Sequence, residues 1–181
     1  MKSINPKKKK LYNVTKHGLI SGLYFNDIIK NIINLIPIDK HIRVLDFGCG
    51  FGYLKKKIKK NSNIKIINYD IINELTEVKD WRKVRFDYLV STHVFMYLKK
   101  KELEKLLINL RKHNQNLKLI VTISKQGLLN NLGKFILNET EAHKGTLLKT
   151  NSELKLLKKK MKIIKKRNIF FLSDIYLLEF L

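Results

Sequence analysis

Glycines recur at positions 48, 50 and 52 of the run Val44-Leu45-Asp46-Phe47-Gly48-Cys49-Gly50-Phe51-Gly52. Glycine has no Cβ, so such a run turns sharply and brings backbone close to a ligand. If a strand enters the turn and a helix leaves it, the helix presents free N–H groups and the positive end of its dipole. Loops of this kind serve several ligands, and their neighbours decide among them. A phosphate-gripping loop ends in Gly-Lys-Ser/Thr, whereas this one ends Gly52-Tyr53. A dinucleotide loop spaces its third glycine to pack the helix against a pyrophosphate. The spacing here is tighter, and Asp46 stands at the strand end. A carboxylate there repels a pyrophosphate and suits a cation.

Asp70 ends Asn68-Tyr69-Asp70, close to the roughly 20-residue offset of a ribose-binding acid. A carboxylate accepts hydrogen bonds from both ribose hydroxyls. Asp70 can equally cap Ile71-Ile72-Asn73-Glu74, and the two roles are compatible. Five histidines are available for acid–base work, His17, His41, His93, His113 and His143, of which His93 reads as a wall of the ligand pocket rather than a catalyst. Histidine is the usual group for taking a proton from a hydroxyl near neutral pH. His143, in Glu139-Thr140-Glu141-Ala142-His143, follows the strand ending at Ser124. Loops beyond the carboxyl ends of parallel strands frame the ligand crevice, which favours His143 as base, oriented by Glu139 or Glu141. The plain alternative is a solvated loop histidine. His41 and His113 read as surface residues, and Tyr24 and Phe25 as core rather than a substrate platform.

The elements that must position these residues follow from periodicity. Leu19 to Ile36 repeats apolar residues at helical spacing, with a break expected near Gly22, and Pro37 ends it. Arg43–Phe47, Ile64–Tyr69, Phe86–Ser91 and Leu117–Ser124 read as strands. Helices are expected over Gly52–Lys60, Lys99–His113 and Ser152–Lys160. Strands alternating with helices imply crossovers and a parallel sheet. Met161–Leu172 and Ile175–Leu181 read as a final pair of strands turning at Ser173-Asp174. Residues 1–12 read as a basic arm and 125–150 as a substrate-side insertion of loop and helix fragments, all within one domain spanning 1–181.

The formal charge of +23, from 38 basic against 15 acidic residues, invites an anionic partner, either nucleic acid or a membrane surface. Against a dedicated site, only five of the basic residues are arginine, the residue best shaped to read phosphates and bases. The runs Lys158-Lys159-Lys160 and Lys165-Lys166-Arg167 suit a solvated strand edge, or a contact with phosphorylated lipid or RNA. No apolar run approaches the roughly 18 residues of a membrane span. Cys49 is the single cysteine, so internal disulfides and a cysteine-based metal cluster are not expected, and a cytoplasmic setting is.

Val44 to Leu54, Tyr69-Asp70 and the segment Phe86-Asp87-Tyr88-Leu89-Val90-Ser91-Thr92-His93-Val94-Phe95-Met96-Tyr97-Leu98 together resemble the class I S-adenosylmethionine-dependent methyltransferases, in particular their small-molecule, type 11-like branch. The resemblance spans Gly18 to Ser124 and, more loosely, the C-terminal hairpin. It implies a Rossmann-like α/β fold with a mostly parallel seven-stranded sheet whose last strand is antiparallel. It also implies S-adenosylmethionine as cofactor, with Asp46, Phe47, Gly48, Cys49, Gly50 and Gly52 around its methionine part. Asp70 and Ile71 would take the ribose side, and Ser91, Thr92 and His93 would flank the sulfonium. His17, beside Lys16, could close over the cofactor carboxylate. Only residues 71–86 separate Asp70 from Asp87, so the fold is shortened between its second and fourth strands. Asp80 and Trp81 would then contact adenine, with Trp81 stacking on the base or else plugging the sheet edge.

The expected activity is methyl transfer to a small or membrane-linked acceptor, such as an oxygen of a sugar or glycolipid. Ser-Thr-His-Val at 91–94 fits that branch; amino-methylating nucleic-acid enzymes carry Asn/Asp-Pro-Pro-aromatic there, and this chain does not. An RNA methyltransferase using the basic surface is the alternative. A non-catalytic, cofactor-binding partner subunit is the second.

Overall fold

The structure is a computed structural model that describes residues 19–38, 40–58, 63–125, 146–148 and 150–181. The expected arm at 1–12, His17, His143 with Glu139 and Glu141, and most of the 125–150 insertion lie outside the described residues. In chain order the principal elements are α1 (Leu19–Ile33), β1 (Ile42–Phe47), α2 (Tyr53–Lys57), β2 (Ile64–Tyr69) and β3 (Tyr88–Thr92). They continue with α3 (Lys100–His113), β4 (Lys118–Ser124), α4 (Thr150–Lys158), β5 (Met161–Ile169) and β6 (Ser173–Phe180). Single 3-10 turns form at Trp81–Lys83 and Phe95–Tyr97.

The strands form one sheet in the order β2-β1-β3-β4-β6-β5. The first four pair in parallel, and β6 runs antiparallel to both β4 and β5. Consecutive residues of the central strands bury on opposite faces. Val44, Ile66, Val90 and Ile120 join α1 and Leu54 in one apolar cluster, while Leu45, Ile67, Leu89 and Leu119 join α3 and α4 in the other. This double burial is why these strands read as continuous apolar runs instead of alternating ones. α1 presents Tyr24, Ile28 and Ile32, one turn apart, and α3 presents Leu103, Leu106, Leu107 and Leu110.

The sheet has six strands among the described residues, not the seven the resemblance implied. The missing one would lie outside β2, and residues 71–86 are too few to make a strand and its crossover helix. That stretch instead folds back on β2. Glu77 donates its N–H to the Asn68 carbonyl at 2.9 Å, and its carboxylate accepts from the Asn68 N–H at 3.2 Å. One residue thereby occupies both hydrogen-bonding groups of Asn68 that the edge would leave open.

α1 runs unbroken through Gly22 and ends at Ile33, where Leu35 and Ile36 tighten into i→i+3 turns ahead of Pro37. The C-terminal turn also falls elsewhere than expected. Ser173 and Asp174, ordinarily turn residues, are buried inside β6, and the chain reverses at Phe170-Phe171. Asp174 is tied there by Lys166 at 2.9 Å, Asn168 at 3.0 Å and Tyr176 at 3.1 Å. These partners satisfy a carboxylate that would otherwise be excluded from a strand interior.

The connections from β1 lead to β2 on one side while β3 pairs on its other side. That reversal of direction opens a crevice at the carboxyl end of β1. The turn there depends on glycine in two different ways. All three glycines hold positive φ, at 78°, 51° and 67°. A Cβ on Gly48 would stand 2.3 Å from Val94 Cγ2, whereas one on Gly50 would meet nothing within 4 Å. Gly48→Ala should therefore destabilise the protein by about 3 kcal/mol or more through strain and overpacking together. Gly50→Ala should carry only the left-handed penalty of roughly 1–2 kcal/mol. Urea unfolding of the two variants checks the difference.

Candidate functional site

The site is built on the turn between β1 and α2. Gly48 and Cys49 both donate their N–H to the Tyr69 carbonyl, at 2.8 and 3.1 Å, which locks the turn to the end of β2. Asp70, the next residue, accepts from Gly50 N–H at 3.0 Å on one carboxylate oxygen and from Ile72 N–H at 3.0 Å on the other. The second bond is the local cap that the sequence allowed, and the first shapes the glycine turn. Each oxygen retains a free lone pair, so capping leaves capacity for a diol. Ile71 beside it is 88 % exposed, an apolar side chain held in the open next to a buried acid.

Asp46 is buried at the end of β1, and no cation among the described residues offsets its charge. Burial, with the neighbouring charge of Asp70, pushes its carboxyl up to about 7. A buried acid in this condition gains most from a positive ligand, which replaces lost hydration by direct attraction. Cys49 lies between the two acids. Burial and the charges of Asp46, Asp70 and Glu77 raise its thiol far above the usual range, so it stays protonated and is no nucleophile. Phe47 packs with Tyr69 and Phe95, at ring distances of 5.2 and 6.2 Å, and forms the floor beneath the turn. Three buried side-chain atoms, Asn68 Oδ1, Ser91 Oγ and Thr122 Oγ1, have no hydrogen-bond partner among the described residues. They sit toward the carboxyl ends of β2, β3 and β4, where a polar ligand or water would satisfy them.

β3 ends with Ser91 and Thr92, and His93 follows with a left-handed backbone, φ 56°. Its Nδ1 lies 3.0 Å from Ser124 Oγ at the end of β4, and its Nε2 lies 3.5 Å from Tyr24 Oη. Tyr24 Oη is also hydrogen-bonded to Ser173 Oγ at the start of β6. Burial raises the Tyr24 phenol to about 12, so it remains a proton donor. Four side chains, from α1, the residue after β3, β4 and β6, thus form a polar relay along the crevice. Sequence alone does not bring them together, because they lie far apart in the chain. The register that sets Ser124 opposite Ser173 is what makes them neighbours.

Asp80 and Trp81 do not join this site. Asp80 is half-buried and held by the guanidinium of Arg82, at 2.8 and 3.0 Å, which lowers its carboxyl below the usual range. Trp81 is buried against Phe86 at 6.2 Å and His113 at 6.0 Å. Phe86 precedes β3 and His113 ends α3, so the indole sits at the amino ends of the strands, away from the glycine turn. Of the two roles expected for it, the observed packing is that of a core plug. His113 is half-buried, stacked on Phe86 at 4.7 Å. The same end holds a cavity of about 840 Å³ lined by His41, Arg43, Lys65, Arg82, Lys83 and Arg85, among others. Strands of five or six residues separate it from the glycine turn by roughly 20 Å.

No protein-family model matches this chain, and no curated protein matches it. Solved structures share its fold. Magnesium protoporphyrin IX methyltransferase from Synechocystis, with bound SAM, superposes with a TM-score of 0.65 at 12% identity, over 96% of this chain and 91% of that one. A SAM dependent methyltransferase from Aquifex aeolicus gives 0.63 at 16% identity, over 99% and 100%. The small RNA methyltransferase HEN1 gives 0.63 at 14% identity, over 86% of this chain and 25% of that one. Identities this low carry the fold alone. The chain has the mixed, mostly parallel sheet with an antiparallel C-terminal hairpin that these methyltransferases share.

Proposed function

We propose that this protein binds S-adenosylmethionine at the β1–α2 turn and transfers its methyl group to an oxygen of a small or membrane-linked acceptor. The observation that carries the reading is the pair of buried acids, Asp46 and Asp70, on either side of a glycine turn with open space at Gly50. A sulfonium and an ammonium group supply the positive charge that Asp46 lacks, and the ribose hydroxyls donate to Asp70. Ile71 offers an apolar surface for the adenine. His17, with Lys16, would approach the ligand carboxylate.

Transfer is an in-line displacement: the acceptor oxygen bonds to the methyl carbon as the carbon–sulfur bond breaks and its electron pair returns to sulfur. Alignment supplies much of the rate. A hydroxyl acceptor must also lose its proton, and His143 and His93 are the candidate bases. His93 gains support from its place at the end of β3 and from the relay through Tyr24 and Ser124, along which a proton can leave. The large basic cavity favours no RNA substrate at this crevice, because it lies at the other end of the sheet.

Asp70→Ala should weaken S-adenosylmethionine binding by at least about 1 kcal/mol, through lost charge-assisted hydrogen bonds. Unchanged calorimetric affinity would contradict its ribose role. With labelled cofactor and an extract fraction as acceptor, His93→Gln should lower the transfer rate by roughly 10²-fold or more, with cofactor affinity within a few-fold of wild type. Equal loss of affinity and rate would make His93 a pocket wall only. His143→Gln, measured alongside, decides between the two bases.

A further inference from the structure

Among the described residues, three that are not glycine hold a left-handed backbone: His93, Phe170 and Phe171. His93 belongs to the relay described above. Phe170 and Phe171 are the two central residues of the β5–β6 turn, with φ of 47° and 59°. The turn is closed by Leu172 N–H donating to the Ile169 carbonyl at 2.9 Å. The loop between the paired residues Ile169 and Ser173 holds three residues, and a β-turn with positive φ at both central positions favours Asn-Gly, because any larger side chain is strained there. Two bulky aromatic residues in that place are unfavourable for folding. They are also unfavourable for solubility, since their side chains lie in residues 58% and 71% exposed. Strain kept in a native fold marks positions held for something other than stability.

The placement of the turn indicates what that is. Ser124 pairs with Ser173, so the turn projects at the carboxyl end of β4, the same end of the sheet as the glycine turn. It is pinned there by Lys125 N–H donating to the Leu172 carbonyl at 2.8 Å and by Phe171 N–H donating to Asn168 Oδ1 at 3.1 Å. Phe170 meets Tyr24 edge-on at 6.3 Å. Lys125 lies beside the turn, and Lys165, Lys166 and Arg167 precede it on β5; Asp174 is the acid among them, paired with Lys125 and Lys166, and Arg167 donates to Asn31.

We propose that the Phe170-Phe171 turn is a docking wedge for an anionic lipid bilayer, which seats the crevice at the membrane surface. Aromatic side chains that enter the headgroup boundary, flanked by lysines, are the elements of interfacial binding. Single-stranded nucleic acid instead stacks its bases on aromatics within a charged groove, and neither phenylalanine lines the basic cavity. This deepens the proposed function by making its acceptor a membrane-linked one, and it rests on that reading only for the purpose of docking.

The test is sedimentation with vesicles of phosphatidylglycerol and phosphatidylcholine, with phosphatidylcholine alone, and binding to single-stranded RNA. The wild-type chain should bind the anionic vesicles at least about tenfold more tightly than the neutral ones. The double variant Phe170→Asn, Phe171→Gly should melt at a higher temperature than wild type, because strain is relieved. It should lose anionic-vesicle binding at least tenfold and keep its affinity for S-adenosylmethionine. Phe171→Ser, at the more exposed ring, should lose vesicle binding in the same direction and serves if the double variant fails to fold. Undiminished vesicle binding by the variants, no binding by wild type, or loss of RNA binding in place of vesicle binding each overturns the proposal. Vesicle binding without any S-adenosylmethionine binding by wild type would leave the docking wedge standing and remove the transfer reading instead.

Discussion

Two carboxylates held out of water within one turn of backbone are the constraint on which the rest of the structure depends. Asp46 and Asp70 end adjacent parallel strands, so their side chains cannot separate without breaking the sheet. Asp70 is reconciled to burial by two backbone N–H groups, and its bond to Gly50 gives the turn its shape. Among the described residues Asp46 has no such compensation, and burial with the charge of Asp70 pushes its carboxyl up to about 7. Isolated buried charge is tolerated where a ligand supplies the missing partner, and perturbed acids gather at functional sites for that reason.

The rest of the fold maintains that arrangement. Packing on both faces makes β1 the rigid centre of the sheet, and Val94 closes against Gly48 from the segment after β3. The shortened stretch after Asp70 sacrifices a strand but closes the β2 edge at Asn68 through Glu77. On the opposite side of the crevice, the His93 relay depends on the antiparallel β6, which brings Ser173 beside Tyr24. The glycine-turn half of the crevice is therefore set by parallel pairing, and the half that holds the His93 relay by the C-terminal hairpin.

What was legible in the sequence follows the same division. The glycine turn, Asp46 and Asp70 could be read because backbone geometry demands glycine and because the acids fall at strand ends with a known offset. The four parallel strands and β6 were recognisable as apolar runs, since burial leaves little polar interruption, whereas β5 is mostly exposed and carries Lys162, Lys165, Lys166 and Arg167. The turn at Phe170-Phe171 was not, because turn chemistry points to Ser173-Asp174 and only the pairing register overrides it. Trp81 was ambiguous for a related reason: an aromatic residue in a shortened connection suits a base or a core equally well. Its contacts with Phe86 and His113 appear only when α3 is folded down to the amino ends of the strands. Tyr24 was correctly read as core, yet its hydroxyl carries a polar role that helical periodicity cannot reveal.

The most direct test of the central claim is calorimetric titration of S-adenosylmethionine into the purified protein at pH 7, in two buffers of different ionisation enthalpy. With its carboxyl raised to about 7, Asp46 is partly protonated in the ligand-free protein at that pH. A cationic ligand favours the ionised form, so binding should release a fraction of a proton. The measured heat should then differ between the buffers, affinity should fall as pH drops below 7, and Asp46→Asn should abolish the buffer dependence. The absence of any binding heat in both buffers, together with no thermal shift, would contradict the account.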